Sequence, residues 1–274
     1  MKRVLTAIVL IPLVLVLVFL GPRWLIIVAT AVLAGLAAWE YLGLAERGAA
    51  RPPRIAVVVA IIVLFIGNSE YPDLTAAVFG ALCLGLLLYC TFGSPADRVM
   101  PDAAVSVFCL MYVGLTLLTL PALREEPNGP SLLIFLFFVV WAGDIAALYI
   151  GSAWGRHKLA PRLSPNKSWE GAVGSVAGSL LAAGGLLALA DWFTQWNSAK
   201  LSYPDEIWYW LLLAVIVNIA AQVGDLAESA LKRSVGAKDS GTILPGHGGV
   251  LDRIDSLLLA APELWYAQLI HGRL

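Results

Sequence analysis

The sequence predicts an all-α protein threaded several times through a membrane. Three observations carry that prediction. Hydrophobic residues make up 59% of the chain and its mean hydropathy is +0.82. Its apolar residues gather in long runs, near the ~20 residues a helix needs to cross roughly 30 Å of hydrocarbon. The ~10-residue alternating segments of a membrane barrel do not occur. Only 14% of the residues are charged, and they collect where the apolar runs break.

Taken in order, the runs give about nine spanning segments. The first, Val4 to Leu20, follows the basic pair Lys2 and Arg3. It ends in Gly21-Pro22 and not in a small-x-small cleavage pattern, so it reads as a retained helix. The next are Arg23 to Leu44, Ile55 to Gly67, Leu74 to Phe92, Asp102 to Pro121 and Leu132 to Ser152. The last three are Gly171 to Phe193, Ile207 to Leu231 and Val250 to Ile270. Ile55 to Gly67 is the shortest. These group into three consecutive parts: residues 1–70, residues 71–152, and residues 153–274, which hold the chemistry. Cys83, Cys90 and Cys109 lie in aliphatic surroundings without zinc-type spacing, so they read as buried free thiols.

Charge asymmetry sets the orientation. With the N-terminus in the cytoplasm, 14 of the 18 basic residues fall on the cytoplasmic side and 4 (Arg23, Arg124, Lys200 and Arg273) outside. That is the positive-inside pattern. Trp192, Trp196, Trp208 and Trp210 flank the outer ends of the seventh and eighth segments, as interfacial aromatics do. The two charged loops, between the sixth and seventh and between the eighth and ninth segments, then share the cytoplasmic face. An active site is expected there.

The densest charge lies in Ser229 to Asp255, with Lys232, Arg233, Lys238, Asp239, His247, Asp252, Arg253 and Asp255. Ionisable groups this close to hydrocarbon are functional candidates by default. Asn218, Gln222, Asp225, Glu228, Ser229 and Lys232 fall on one helical stripe, which faces protein or water and not lipid. Asn218 and Gln222 read equally well as glue between helices. Asp252 and Asp255 share a helix face, and Asp225 arrives from the neighbouring helix. Three hard oxygen donors suit Mg²⁺, which takes few carboxylates, several waters and phosphate oxygens. Glu228 and Asp144 are further candidate ligands. The competing reading is an ion-pair network with Lys232 and Arg253. Between the helices, Pro245 to Gly249 is too glycine-rich for helix, and Gly248 and Gly249 suit an anion-binding turn. His247 suits phosphate contact, proton transfer or plain support of that turn.

The second loop, Gly155 to Gly171, holds Arg156, Lys158, Arg162 and Lys167, an anion trap or simple positive-inside decoration. Asn166, Lys167, Ser168 and Glu170 favour the trap, because capping groups surround the lysine and an acid stands at a helix start. Asp144, inside the sixth segment, either joins this site or makes a buried hydrogen bond.

The run Ser229-x-Leu231-Lys232-Arg233-x4-Lys238-Asp239-x-Gly241-x2-Leu244-Pro245-x-His247-Gly248-Gly249-Val250-x-Asp252-Arg253-Ile254-Asp255 resembles, without a gap, the signature of the phosphatidate cytidylyltransferase family. Ser164 to Gly171 is similar to that family's second block. Asp144 to Gly155 is similar to a third, with Ser152 where a basic residue is expected. The resemblance covers Trp141 to Ser256; before that only the hydropathy is similar. It implies CTP and phosphatidate as substrates, and CDP-diacylglycerol and pyrophosphate as products. It also implies Mg²⁺ or another divalent cation, with room for a second cation, a homodimer, and a bacterial inner membrane. On these positions, Asp225 and Asp252 would be metal ligands with Asp255 close by. Lys167, Lys232, Arg233 and Lys238 would meet phosphates. The catalytic set expected is Asp225, Asp252, Lys232 and Lys238. Asn166, Lys167, Ser168, Glu170, Arg233, Asp239, His247, Gly248, Gly249 and Arg253 are the expected substrate contacts. No nucleic-acid partner is expected. A CTP-using enzyme acting on an isoprenoid or archaeal lipid is the nearest alternative. An anion transporter fits less well, because transporters show repeats and broken helices at mid-membrane and here the charges gather at one face.

Overall fold

A computed structural model describes residues 12–195, 201–243 and 248–271. The helical class is as predicted. Residues 12–20 are helical, followed by α1 (Arg23–Ala45), α2 (Arg54–Glu70), α3 (Thr75–Gly93), α4 (Val99–Cys109) and α5 (Thr116–Glu125). Then come α6 (Gly129–Trp154), α7 (Trp169–Gln195), α8 (Ile207–Ser234) and α9 (Leu251–His271). Among the described residues, six stretches are long and apolar enough to cross a membrane. These are α1, residues 72–93, the continuous run Val99–Glu125, α6, α7 and α8. At 17 residues, α2 is shorter than any of these six, and α9 carries Asp252, Arg253, Asp255 and Glu263.

Backbone chemistry sets several boundaries. Pro22 and Pro53 precede α1 and α2 in extended or irregular conformations, where the missing N–H costs nothing. One wide turn, Leu110–Leu115, joins α4 to α5 without breaking the rod. Ser168 Oγ accepts the N–H of Gly171 at 3.1 Å and so caps α7.

The chain divides into two compact units. Among the described residues, the first comprises Pro22–Pro121, 231–243 and 248–254. Tyr41, Phe108 and Tyr112 form an aromatic cluster with centroids 5.4 to 6.2 Å apart. The turn after α1 is fixed by charge: Arg54 Nε donates to Glu46 Oε1 at 2.7 Å, and Arg54 lies 5.1 Å over the Trp39 ring. Buried Asp102 accepts from the Arg51 N–H at 2.5 Å and from Ser94 Oγ at 2.7 Å.

Among the described residues, the second unit comprises 12–21, 122–195, 201–230 and 255–271. Its central contact is α6 against α7. Lipid gives helices no hydrophobic reason to associate, so close approach at small residues takes over. A Cβ on Gly174 would lie 2.5 Å from Ile150 Cδ1, and one on Gly178 would lie 2.5 Å from Ala146 Cβ and 2.8 Å from the Ala142 carbonyl. Gly178→Leu is therefore expected to force the helices apart at a cost of about 1–3 kcal/mol. Thermal unfolding in detergent checks this; an unchanged midpoint would mean the contact yields freely. The loop from α6 to α7 is not all coil. It forms a two-stranded antiparallel ladder, β1 (Lys158–Ala160) and β2 (Ser164–Ser168), with Lys158 opposite Ser168 and Ala160 opposite Ser164. That hairpin is the one piece of sheet among the described residues, and the helical class stands. Its basic residues are spaced through polar turn formers, so no strand periodicity announces it.

Candidate functional site

A cleft of about 660 Å³ opens in the second unit. Asp144 from α6, Asn166 and Lys167 from β2, and Gln222 and Asp225 from α8 line it. Lys158 stands at β1, and Ala147, Leu148, Leu159 and Ala172 supply apolar wall. The sixth segment and the basic loop that follows it thus meet the eighth segment, some 50 residues further on, in one hollow.

The hairpin presents Lys167. Its Nζ lies 2.6 Å from Asp225 Oδ2, with both side chains part-buried. Ser168, buried beside it, is spent on capping α7. Glu170 does not line the cleft but braces the turn before β1. Its Oε2 accepts the N–H groups of Arg156 at 3.1 Å and His157 at 3.2 Å, and its Oε1 lies 2.6 Å from His157 Nδ1. The capping chemistry read from the sequence is therefore present: Glu170 shapes the loop, Asn166 and Lys167 line the hollow, and Ser168 does both.

Polar residues form the cleft's floor. Asn218 Nδ2 donates to Ser175 Oγ and Ser179 Oγ, both at 2.8 Å. Gln222 Nε2 donates to Asn218 Oδ1 at 2.7 Å, and Ser179 Oγ donates to the Val139 carbonyl at 2.7 Å. Asn218 is the helix glue that was one of its two readings, whereas Gln222 both joins that network and lines the cleft. Gly143 makes room for the network, since a Cβ there would meet Ser179 Oγ at 2.7 Å and Ser175 Oγ at 2.9 Å.

Of the signature stretch, the described residues from Leu231 to Ile254 lie in the first unit. Asp252 accepts four hydrogen bonds. Lys232 Nζ reaches its Oδ1 at 2.6 Å, while Ser240 N and Oγ at 2.9 Å and Gly249 N at 2.8 Å reach its Oδ2. The ion-pair reading thus describes Asp252 and Lys232 as they stand. Gly248 adopts a left-handed φ of 81°, where a side chain would be strained. Arg233 Nη1 donates to the Ala237 carbonyl at 3.1 Å, which folds the chain back just after α8. Lys238, Asp239 and Arg253 are exposed. His247 lies outside the described residues.

Glu228 is fully buried on α8. Asp255, in the second unit, accepts the Ser256 N–H at 2.7 Å. Among the described residues, no three His, Cys, Asp or Glu side chains gather as a metal-holding group. The donors of the cleft nevertheless fit a hard cation: two carboxylates, Asp144 and Asp225, stand with the amide groups of Asn166 and Gln222. Mg²⁺ typically takes only one or two carboxylates, with waters and phosphate completing its shell.

Sequence reasoning missed Glu40. It is a buried carboxylate on α1 whose Oε2 accepts the N–H of Leu251 at 2.9 Å. One acid near the end of an apolar run was the available signal.

Comparison with known proteins agrees with these motifs. The cytidylyltransferase family matches the chain over residues 1–271. Over 157 residues the chain is 50% identical to the phosphatidate cytidylyltransferase of Brucella suis biovar 1, a match covering 57% of this chain and 54% of that protein. The match thus spans about half the length of the Brucella relatives. Against the phosphatidate cytidylyltransferase of Staphylococcus haemolyticus, identity is 34% over 270 residues, 96% of each chain. Against that of Pseudomonas aeruginosa it is 35% over 279 residues, 97% of each.

Proposed function

Since the chain belongs to the cytidylyltransferase family, we propose that it transfers the cytidylyl group of CTP to phosphatidate, giving CDP-diacylglycerol and pyrophosphate. A phosphatidate oxygen attacks the α-phosphorus of CTP, the bond to the β-phosphate oxygen breaks, and pyrophosphate leaves. No covalent enzyme intermediate is required. The observation that carries this reading is the cleft, where Lys158 and Lys167 face Asp144 and Asp225 in a chain that the family matches almost end to end. Ammonium groups there offset the charge of a phosphate-bearing substrate. Asn166 orients it, and the apolar wall beside Leu148 leaves lipid tails in hydrocarbon. Lys238, Arg233, Arg253, His247 and the Gly248-Gly249 turn meet phosphate in the signature stretch.

A divalent cation would be held by Asp225 with Asp144, and Asp252 and Asp255 remain candidate ligands. When bound, it withdraws charge from phosphate oxygens and stabilises leaving pyrophosphate. The membrane reading is nine spans with the N-terminus inside, the chemistry at the cytoplasmic face of a bacterial inner membrane, and a homodimer. Its support is the basic-residue asymmetry, together with helices that fall where the apolar runs fall.

Purified protein given radiolabelled CTP and phosphatidate, with and without Mg²⁺, tests the function. Labelled CDP-diacylglycerol that depends on both is expected. Product only with an isoprenoid phosphate would move the enzyme to another lipid, and none with either would end the reading. For topology, a reporter fused after Leu274 is expected to behave as periplasmic; cytoplasmic behaviour would mean an even number of spans, with α2 the first to question.

A further inference from the structure

Glu40 lies near the C-terminal end of α1 and is 4% exposed. Oε2 accepts the Leu251 N–H at 2.9 Å and lies 3.3 Å from Ser240 Oγ. A Cβ on Gly241 would fall on the Glu40 carboxylate. A Cβ on Gly249 would fall on that carboxylate and on Ser240 Oγ. Two glycines of the signature are therefore bare because an acid from α1, some 200 positions earlier, occupies the space. Asp252 closes the same knot from the other side, since its Oδ2 accepts from Ser240 and Gly249. All these residues belong to one compact unit.

The N–H of Leu251 calls for an acceptor at this point, which Oε2 supplies. A buried carboxylate is costly unless donors surround it; here the first N–H of α9 reaches Oε2, while Oε1 is buried with no hydrogen-bond partner among the described residues and the Ser240 hydroxyl, 3.3 Å from Oε2, has one proton to share between Glu40 and Asp252. Hydrogen bonds to an ionised acceptor are roughly twice as strong as neutral ones. The start of a helix also carries partial positive charge. Ser240-Gly241 opens the glycine-rich loop and Gly249 to Leu251 closes it, so one carboxylate touches both ends.

We infer that Glu40 is a positioning residue for the transferase, whose buried carboxylate ties together the two ends of the signature loop so that Lys238, Asp239 and Asp252 are held in place. This rests on reading that loop as part of the transferase site. Glu40 itself touches no substrate. A glutamine keeps the size but replaces one acceptor oxygen by a donor, while an aspartate keeps the charge on a stem one methylene shorter.

Backbone amide exchange of the purified full chain, read alongside cytidylyl transfer, tests the inference. In Glu40→Ala and Glu40→Gln, amides of residues 238–243 and 248–251 are expected to exchange at least tenfold faster while α2 and α3 keep their protection. Transfer kcat/KM is expected to fall at least tenfold, and Glu40→Asp to recover part of both losses because it retains charge. Should Glu40→Ala fail to fold, Gly249→Ala applies the same test with the acid in place: its methyl displaces the carboxylate, and the same localised loosening is expected. Wild-type exchange in the loop of Glu40→Gln, or loosening spread evenly over the unit with no recovery in Glu40→Asp, would overturn the inference. The exchange readout needs no turnover. A wild-type protein that fails to make CDP-diacylglycerol would count against the proposed function and leave the judgement on Glu40 to the loop amides.

Discussion

Lys167→Met is expected to lower kcat/KM for cytidylyl transfer by tenfold or more while the protein inserts and folds normally. The lysine leaves β2 at the base of the hairpin and points into the cleft, 2.6 Å from Asp225 Oδ2. Methionine keeps the apolar stem and removes only the ammonium. A charge-assisted contact contributes about 1.5–3 kcal/mol, and each 1.4 kcal/mol is roughly tenfold in rate. The pair with Asp225 is part-exposed and contributes little to stability by itself, so the loss is expected in kinetics. Lys167→Arg is expected to recover only part, because a planar fork does not replace a point charge in a cleft shaped for one. Steady-state kinetics with CTP and phosphatidate varied in turn decides the matter. Unchanged constants in Lys167→Met would return the loop to its simpler reading as a topology signal.

What the sequence discloses here follows from which interactions are periodic. The apolar runs are, and so the helices lie within a few residues of the segments read from hydropathy; α6, expected from Leu132 to Ser152, spans Gly129–Trp154. The polar stripe on α8 was visible for the same reason, since steps of three and four place Asn218, Gln222 and Asp225 on one side. The partners of that stripe were not visible. Ser175 and Ser179 sit in an ordinary small-residue helix, and only the close approach of α6 and α7 gives them a role. The hairpin was read as a capped basic loop, which caught Lys167 and Ser168 but could not assign Glu170 to bracing Arg156 and His157. Glu40 illustrates the limit most clearly. Gly248 and Gly249 were legible as a turn that admits an anion, yet the group lodged against Gly249, and against Gly241 as well, is a carboxyl supplied by the chain itself, from α1.

Asp252→Asn and Asp225→Asn are expected to abolish turnover for different reasons, and a stability measurement separates them. The Asp252 carboxylate accepts from Lys232, from Ser240 twice and from Gly249, so every group around it is a donor. An asparagine has one oxygen and one NH₂, and either orientation turns a donor toward a donor. If the NH₂ faces Lys232, an ammonium loses its partner; if it faces Ser240 and Gly249, backbone N–H groups lose theirs. A part-buried donor left unsatisfied costs about 1–3 kcal/mol. Asp252→Asn is therefore expected to loosen the turn into α9 and lower the unfolding midpoint as well as activity. Asp225 differs. Its carboxylate meets one ammonium, Lys167, at 2.6 Å, and the Ser229 hydroxyl only at 3.5 Å. An asparagine there keeps the shape and leaves Lys167 beside an open cleft, so folding should be close to wild type. Its activity loss is expected to come with a Mg²⁺ requirement shifted to higher concentration, because one of the two cleft carboxylates has lost its charge. Thermal unfolding in detergent and activity across a Mg²⁺ series on both variants check the pair. Equal destabilisation of both would mean that the Lys167–Asp225 contact is structural. A near-normal rate with an unshifted Mg²⁺ midpoint in Asp225→Asn would remove Asp225 from the metal site.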